Sequence, residues 1–201
     1  MPGVRTVIGV DAGLANLREA DHLIRDLVHG FGLPPGTLAC THLIRSDVRR
    51  GTAVSLALPD ADAAESAWRH LARLDRPELG AALGDRELGP PEAARAAALA
   101  ATEHVHRRGG RAVIYPGVDR LTGAVTVADL LDLTAVDRIT VLGMPPADAQ
   151  GPDPATRVLT RDHVRPEWQD GHLTLTLLPA AGGTLAPFEV PDPTPCCADH
   201  T

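Results

Sequence analysis

The stretch 37-TLACTHLIRSDVRRGTAVSLALP-59 decides the architecture of the chain. Two apolar, β-branched runs, 37–45 and 52–59, flank the polar segment SDVRRG. Runs of this length on either side of a polar loop predict a β-hairpin. Upstream, 4-VRTVIGV-10 reads as a buried strand closed by the turn residues Asp11 and Gly13. A helix is expected from Leu14 to Gly30, because Leu17, Ala20, Ile24, Leu27, Val28 and Phe31 recur at helical steps. Asp11 is its expected N-cap. Downstream, Asp60 or Asp62 caps a helix from Ala61 to Leu74 that turns Trp68, Leu71 and Leu74 inward. The resulting order, β-α-β-β-α over 4–75, fits a ferredoxin-like half and equally part of a mixed sheet.

The segment 76-RPELGAALGDRELGPP-91 is broken by Gly and Pro and reads as a boundary between lobes. Beyond it, Pro91 opens an Ala-rich helix that Gly109-Gly110 ends. A strand at 111–115, a short helix at 126–134 with Thr126 and Asp129 at capping spacing, and a strand at 138–143 suggest parallel-sheet construction. Runs 155–161, 172–178 and 184–190 read as antiparallel strands, the last two joined at Gly182-Gly183. The expectation is therefore an α/β (or α+β) protein with a mixed sheet. A βαββα lobe spans 1–78, a second α/β lobe ending in an antiparallel hairpin spans 91–190, and a Pro/Cys-rich arm spans 191–201. The two lobes can also form one domain.

Composition excludes several chemistries. The net charge is −7, no dense basic run offsets it, and only five residues are aromatic. Nucleic acid is thus an unsuitable partner. The chain has no lysine: all nineteen Lys+Arg residues are Arg. This rules out a Schiff-base lysine and a Walker A loop. No apolar run reaches membrane-spanning length, and the amino-terminal residues lack a secretory pattern. Three cysteines give an odd count without framework spacing, so the expected location is cytoplasmic, with reduced thiols.

Candidate sites are few. If the strands before YPGVDR (115–120) and VLGMPP (141–146) are parallel, their loops share one rim with the end of the first strand. Asp11, Tyr115, Asp119 and Arg120 would then line a pocket for a small polar molecule. His163, with Arg165 and Trp168, supplies a second polar wall and a base near neutral pH. His22, Asp26 and His29 share a face of the first long helix, but that face reads as solvated charge. Glu103, His104 and His106 lie at a helix end, where His106 suits the dipole. The arm carries Cys196, Cys197 and His200, donors that zinc or copper(I) accepts. Cys40 and His42, two apart on one strand face, could complete such a site if the arm folded back.

Three functions follow from these residues. The first is a cytosolic binding protein or enzyme for a small polar molecule, with a pocket at the strand ends. The second is a metal or thiol-redox protein built on the arm. The third is a noncatalytic protein that self-associates as a homo-oligomer through an exposed edge of the last hairpin.

Overall fold

The computed structural model describes residues 5–45, 50–143 and 151–191. In chain order these form β1 (Thr6–Leu14), α1 (Leu17–Gly30), β2 (Leu38–Arg45), β3 (Arg50–Leu58), α2 (Ala61–Leu71), β4 (Gly80–Leu83), β5 (Arg86–Leu88) and α3 (Pro91–Val105). They continue with β6 (Arg111–Ile114), β7 (Ala124–Thr126), α4 (Val127–Leu133), β8 (Arg138–Val141), β9 (Arg157–Leu159), β10 (Glu167–Gln169), β11 (His172–Ala180) and β12 (Thr184–Pro187). Four helices and a twelve-stranded mixed sheet make this an α/β or α+β fold. No helix among the described residues is long and apolar enough to cross a membrane.

The chain divides into two compact units, Met1–Pro116 with Pro166–Leu173, and Gly117–Arg165 with Thr174–Thr201. The division falls after β6, not in 76–91. That stretch holds the β4–β5 hairpin, turned by Gly84-Asp85 with Gly84 at a positive φ of 57°. Such a two-residue turn matches strand twist and needs glycine there.

In the first unit, β4, β1, β3 and β2 lie side by side, every pair antiparallel. This 4-1-3-2 order, reached through βαββαβ, is the split βαβ arrangement of ferredoxin-like folds. The 46–49 part of the hairpin loop lies outside the described residues, but pairing continues to Arg45↔Arg50. α1 and α2 cover one face of the sheet with Ile24, Leu27, Trp68 and Leu71, packed on Ile8, Val10, Val54, Leu56 and Leu58. Asn16, not Asp11, caps α1: its Oδ1 accepts from Glu19 N at 3.0 Å, and Glu19 Oε2 accepts from Ala15 N. Strand β1 simply runs further than its apolar residues, because Asp11 stays in register with Gly80 of β4.

The other face is covered by α3, an unusually close neighbour. A Cβ on Gly9 would lie 1.8 Å from the Ala97 carbonyl oxygen, and one on Gly80 2.3 Å from the Ala93 carbonyl carbon. The helix can approach this far because it presents Ala93, Ala94, Ala96, Ala97 and Ala100. Small residues thus let backbone meet backbone. Asp21 of α1 ties that helix to the sheet. It is buried and grips Arg111 of β6 with a fork of 2.6 and 3.3 Å.

In the second unit β8 runs parallel to β11, β11 antiparallel to β12, β12 parallel to β9, and β9 antiparallel to β7. The β11–β12 hairpin turns at Gly182-Gly183 as expected, but β9 is a parallel neighbour of β12. Neither strand of the hairpin is bare on its outer side: β8 flanks β11 over Thr174–Leu177, and β9 flanks β12 at Leu185. Thr126 caps α4 by accepting from Asp129 N at 3.0 Å.

Candidate functional site

The first unit holds a chain of polar side chains between the sheet and the last turn of α3, all of them buried except Glu103, whose side chain is 45 % exposed. Ser55 on β3 is paired with Cys40 on β2, and His42 sits two residues along from Cys40 on the same face. Glu103 and His104 descend from α3. His42 Nδ1 is 2.9 Å from Glu103 Oε2, His42 Nε2 is 2.8 Å from Ser55 Oγ, and Ser55 Oγ is 2.6 Å from His104 Nδ1. With Glu103 ionised and both imidazoles neutral, one arrangement gives every contact a donor and an acceptor. His42 Nδ1–H donates to Glu103, the Ser55 hydroxyl donates to His42 Nε2, and His104 Nδ1–H donates to Ser55. Gly110 closes the site from β6's side, where a Cβ would press on His42 Cε1 at 2.6 Å.

Burial shifts the groups in this layer. His104 is pushed down to about 3, chiefly by burial and then by His42, Arg5 and Arg107. It is a neutral imidazole. Burial also drives the Cys40 thiol far above its ordinary value, against smaller opposing effects of the Trp168 indole and Arg111. A thiol held protonated is neither a nucleophile nor a ready metal ligand. Trp168, on β10, stands 6.1 Å from the His104 ring.

Glu103, His42 and Ser55 follow the carboxylate–imidazole–hydroxyl order of a nucleophile relay. Ser55, however, is fully buried in the middle of β3, with no face to offer an acyl group. Nor does His42 have a ring nitrogen left for zinc or copper, so pairing it with Cys40 as metal ligands is corrected here. Among the described residues no three His, Cys, Asp or Glu side chains are placed to hold a metal ion. Cys196, Cys197 and His200 lie outside the described residues. His22, Asp26 and His29 are exposed on α1.

The shared rim is also corrected. Three antiparallel steps, β1 to β3 to β2 to β6, leave β6 antiparallel to β1. Asp11 and Tyr115, each near the carboxyl end of its strand, therefore fall toward opposite ends of the sheet. Both are buried. Asp11 accepts from Gly13 N at 3.2 Å, holding the bend that ends β1.

The remaining candidates gather in the second unit. Asp119 and Arg120 are exposed on a 3-10 turn, Val118–Arg120. The loop that follows is tied to the turn bearing His163. Gly123 N donates to Asp162 Oδ1 at 2.9 Å, and Thr160 donates to the Gly123 carbonyl through both N and Oγ1, at 2.9 and 3.0 Å. Arg161 and Asp162 both take left-handed backbone, with φ of 54° and 52°. For residues with a Cβ this costs roughly 1–2 kcal/mol each, and the surrounding hydrogen bonds hold it in place. His163 then places Nε2 3.0 Å from Glu189 Oε1. Its side chain keeps 13 % exposure, and Glu189 32 %.

The polar layer under α3 escaped the reading of the sequence, because its members come from three elements that only folding brings together. The one signal was Glu103-His104 on a helix otherwise lined with alanine. No family model matches the chain, and neither the curated proteins nor the solved structures yield a match.

Proposed function

We propose that the chain binds a small polar molecule in its second unit, at the turn that carries His163, and that His163 exchanges a proton with it. One observation carries this reading: an imidazole that keeps 13 % exposure, oriented by Glu189 at 3.0 Å, on a turn whose strained backbone is fixed by hydrogen bonds. A carboxylate behind one ring nitrogen sets the tautomer and leaves the other nitrogen to act as base or acid. Strain held in place beside a titratable group is a feature of ligand sites. Asp119 and Arg120 stand on the loop tied to this turn and can supply charge to a polar ligand.

The test is thermal melting of the whole protein against a panel of small carboxylates, phosphates and sugars. The reading expects at least one compound to raise the melting temperature of the wild type and to lose that effect in His163→Ala and Arg120→Ala. A compound that stabilises all three proteins equally, or a panel without effect, contradicts it.

A further inference from the structure

We propose that the Glu103–His42–Ser55–His104 chain is a proton-operated latch, which holds the last turn of α3 and the Arg107–Gly110 connection against the sheet and lets go on acidification. This stands apart from the reading of the second unit.

The geometry supplies the mechanism. With both imidazoles neutral, the chain of donors runs from His104 through Ser55 and His42 to Glu103. A first proton, on His42 Nε2, is taken up by turning the Ser55 hydroxyl toward His104 Nδ1, and every contact stays paired. A second proton, on His104 Nδ1, breaks the chain: Ser55 Oγ then faces N–H groups from both histidines, and its own hydrogen loses its acceptor. The second proton meets a further obstacle. The new charge is buried 6.3 Å from the His42 ring, with Arg5 and Arg107 as further positive neighbours. Glu103, on α3 itself, is the one opposing charge in the chain, and His42 already occupies it. Cys40 on β2 is a neutral thiol, and Arg111 on β6 acts toward that thiol with the same positive sign. Among the described residues, these groups leave a second positive charge without a counter-charge.

What the latch restrains is also visible. Gly109 abuts Glu103, Gly110 abuts His42, and the Gly110 and Arg107 carbonyls accept from Trp168 N and Gly171 N. Arg107 itself lies 5.0 Å over the Trp168 ring, with a left-handed φ of 51°. Loss of the polar chain therefore frees the segment from Thr102 to Arg111, while the oily face under α1 and α2 keeps its packing.

The test is amide hydrogen exchange of the full chain at pH 7.5 and pH 4.5, corrected for intrinsic exchange. The expected result is at least a tenfold loss of protection in peptides covering 102–112, with protection in 17–30 unchanged. His104→Asn keeps a donor at the Nδ1 position but cannot titrate, and it should retain at least part of the protection at pH 4.5. Uniform loss across the chain, unchanged protection in 102–112, or the same loss in His104→Asn as in the wild type overturns the latch. The wild-type comparison decides the matter even if the variant does not fold.

Discussion

Among the described residues are two histidine–carboxylate pairs of nearly equal length, and their surroundings differ. His42 meets Glu103 at 2.9 Å, and His163 meets Glu189 at 3.0 Å. The His42 side chain is 0 % exposed, with its second nitrogen taken by Ser55, and the His163 side chain is 13 % exposed; the carboxylates run the other way, Glu103 at 45 % and Glu189 at 32 %, so the contrast lies in the imidazoles. The contact distance alone says nothing of role. Access and the engagement of the second nitrogen separate a pair that stabilises the fold from one that can meet a ligand.

The sharpest way to break this comparison is to loosen the cover over the closed pair. Gly9→Ala places a methyl group against the Ala97 carbonyl at 1.8 Å, backbone that cannot step aside. Denaturant melts should show a loss of about 3 kcal/mol or more, the upper range of overpacking in a filled core. Ser55→Ala leaves His104 Nδ1–H without an acceptor and His42 Nε2 without a donor. A loss of about 2–3 kcal/mol is expected, the cost of buried groups left unpaired, and an unchanged melt would show the layer to be wet.

Acidification acts next. The folded-state value of His104, about 3, lies below its ordinary 6.5, so the unfolded chain binds the proton more readily. This contribution to stability is complete above pH 6.5 and is lost as pH falls through the window down to about 3. The slope is about 1.4 kcal/mol per pH unit within that window. His104→Asn should flatten the pH dependence of the melt between pH 6 and 4; an unaltered slope would assign it to other groups. The smallest effect belongs to the open pair. Glu189 is 32 % exposed, so Glu189→Gln should shift stability by no more than about 0.5–1 kcal/mol, while weakening any ligand that depends on His163.

Much of the scaffold was legible, and the reasons differ by region. The βαββα order could be read because apolar periodicity was strong from Val7 to Leu71, and because Asp60 and Thr126 are ordinary caps. The start of α1 was misplaced, since Asp11 looks like a cap but is held in the sheet by pairing with Gly80. The β4–β5 hairpin was hidden by strands of four and three residues, although Gly84-Asp85 is a turn signal. Asp170-Gly171, with φ of 49° and 83°, likewise marks the turn after β10 that was not read as a hairpin. Strand direction was the costly miss. Periodicity reports which face of a strand is buried but not its direction, so β6 was placed parallel and the Asp11–Tyr115 rim followed from it. His163 could be singled out from local sequence, whereas the relay needed long-range contacts between residues 42, 55 and 104.

The most direct test of the contrast is a side-by-side melt of His42→Ala and His163→Ala at pH 7.5. The account predicts that His42→Ala lowers the melting temperature by roughly 4–12 °C, the shift that about 2–3 kcal/mol produces in a chain of this size, while His163→Ala stays within roughly 2 °C of the wild type. Equal losses, or a larger loss for His163→Ala, would contradict it.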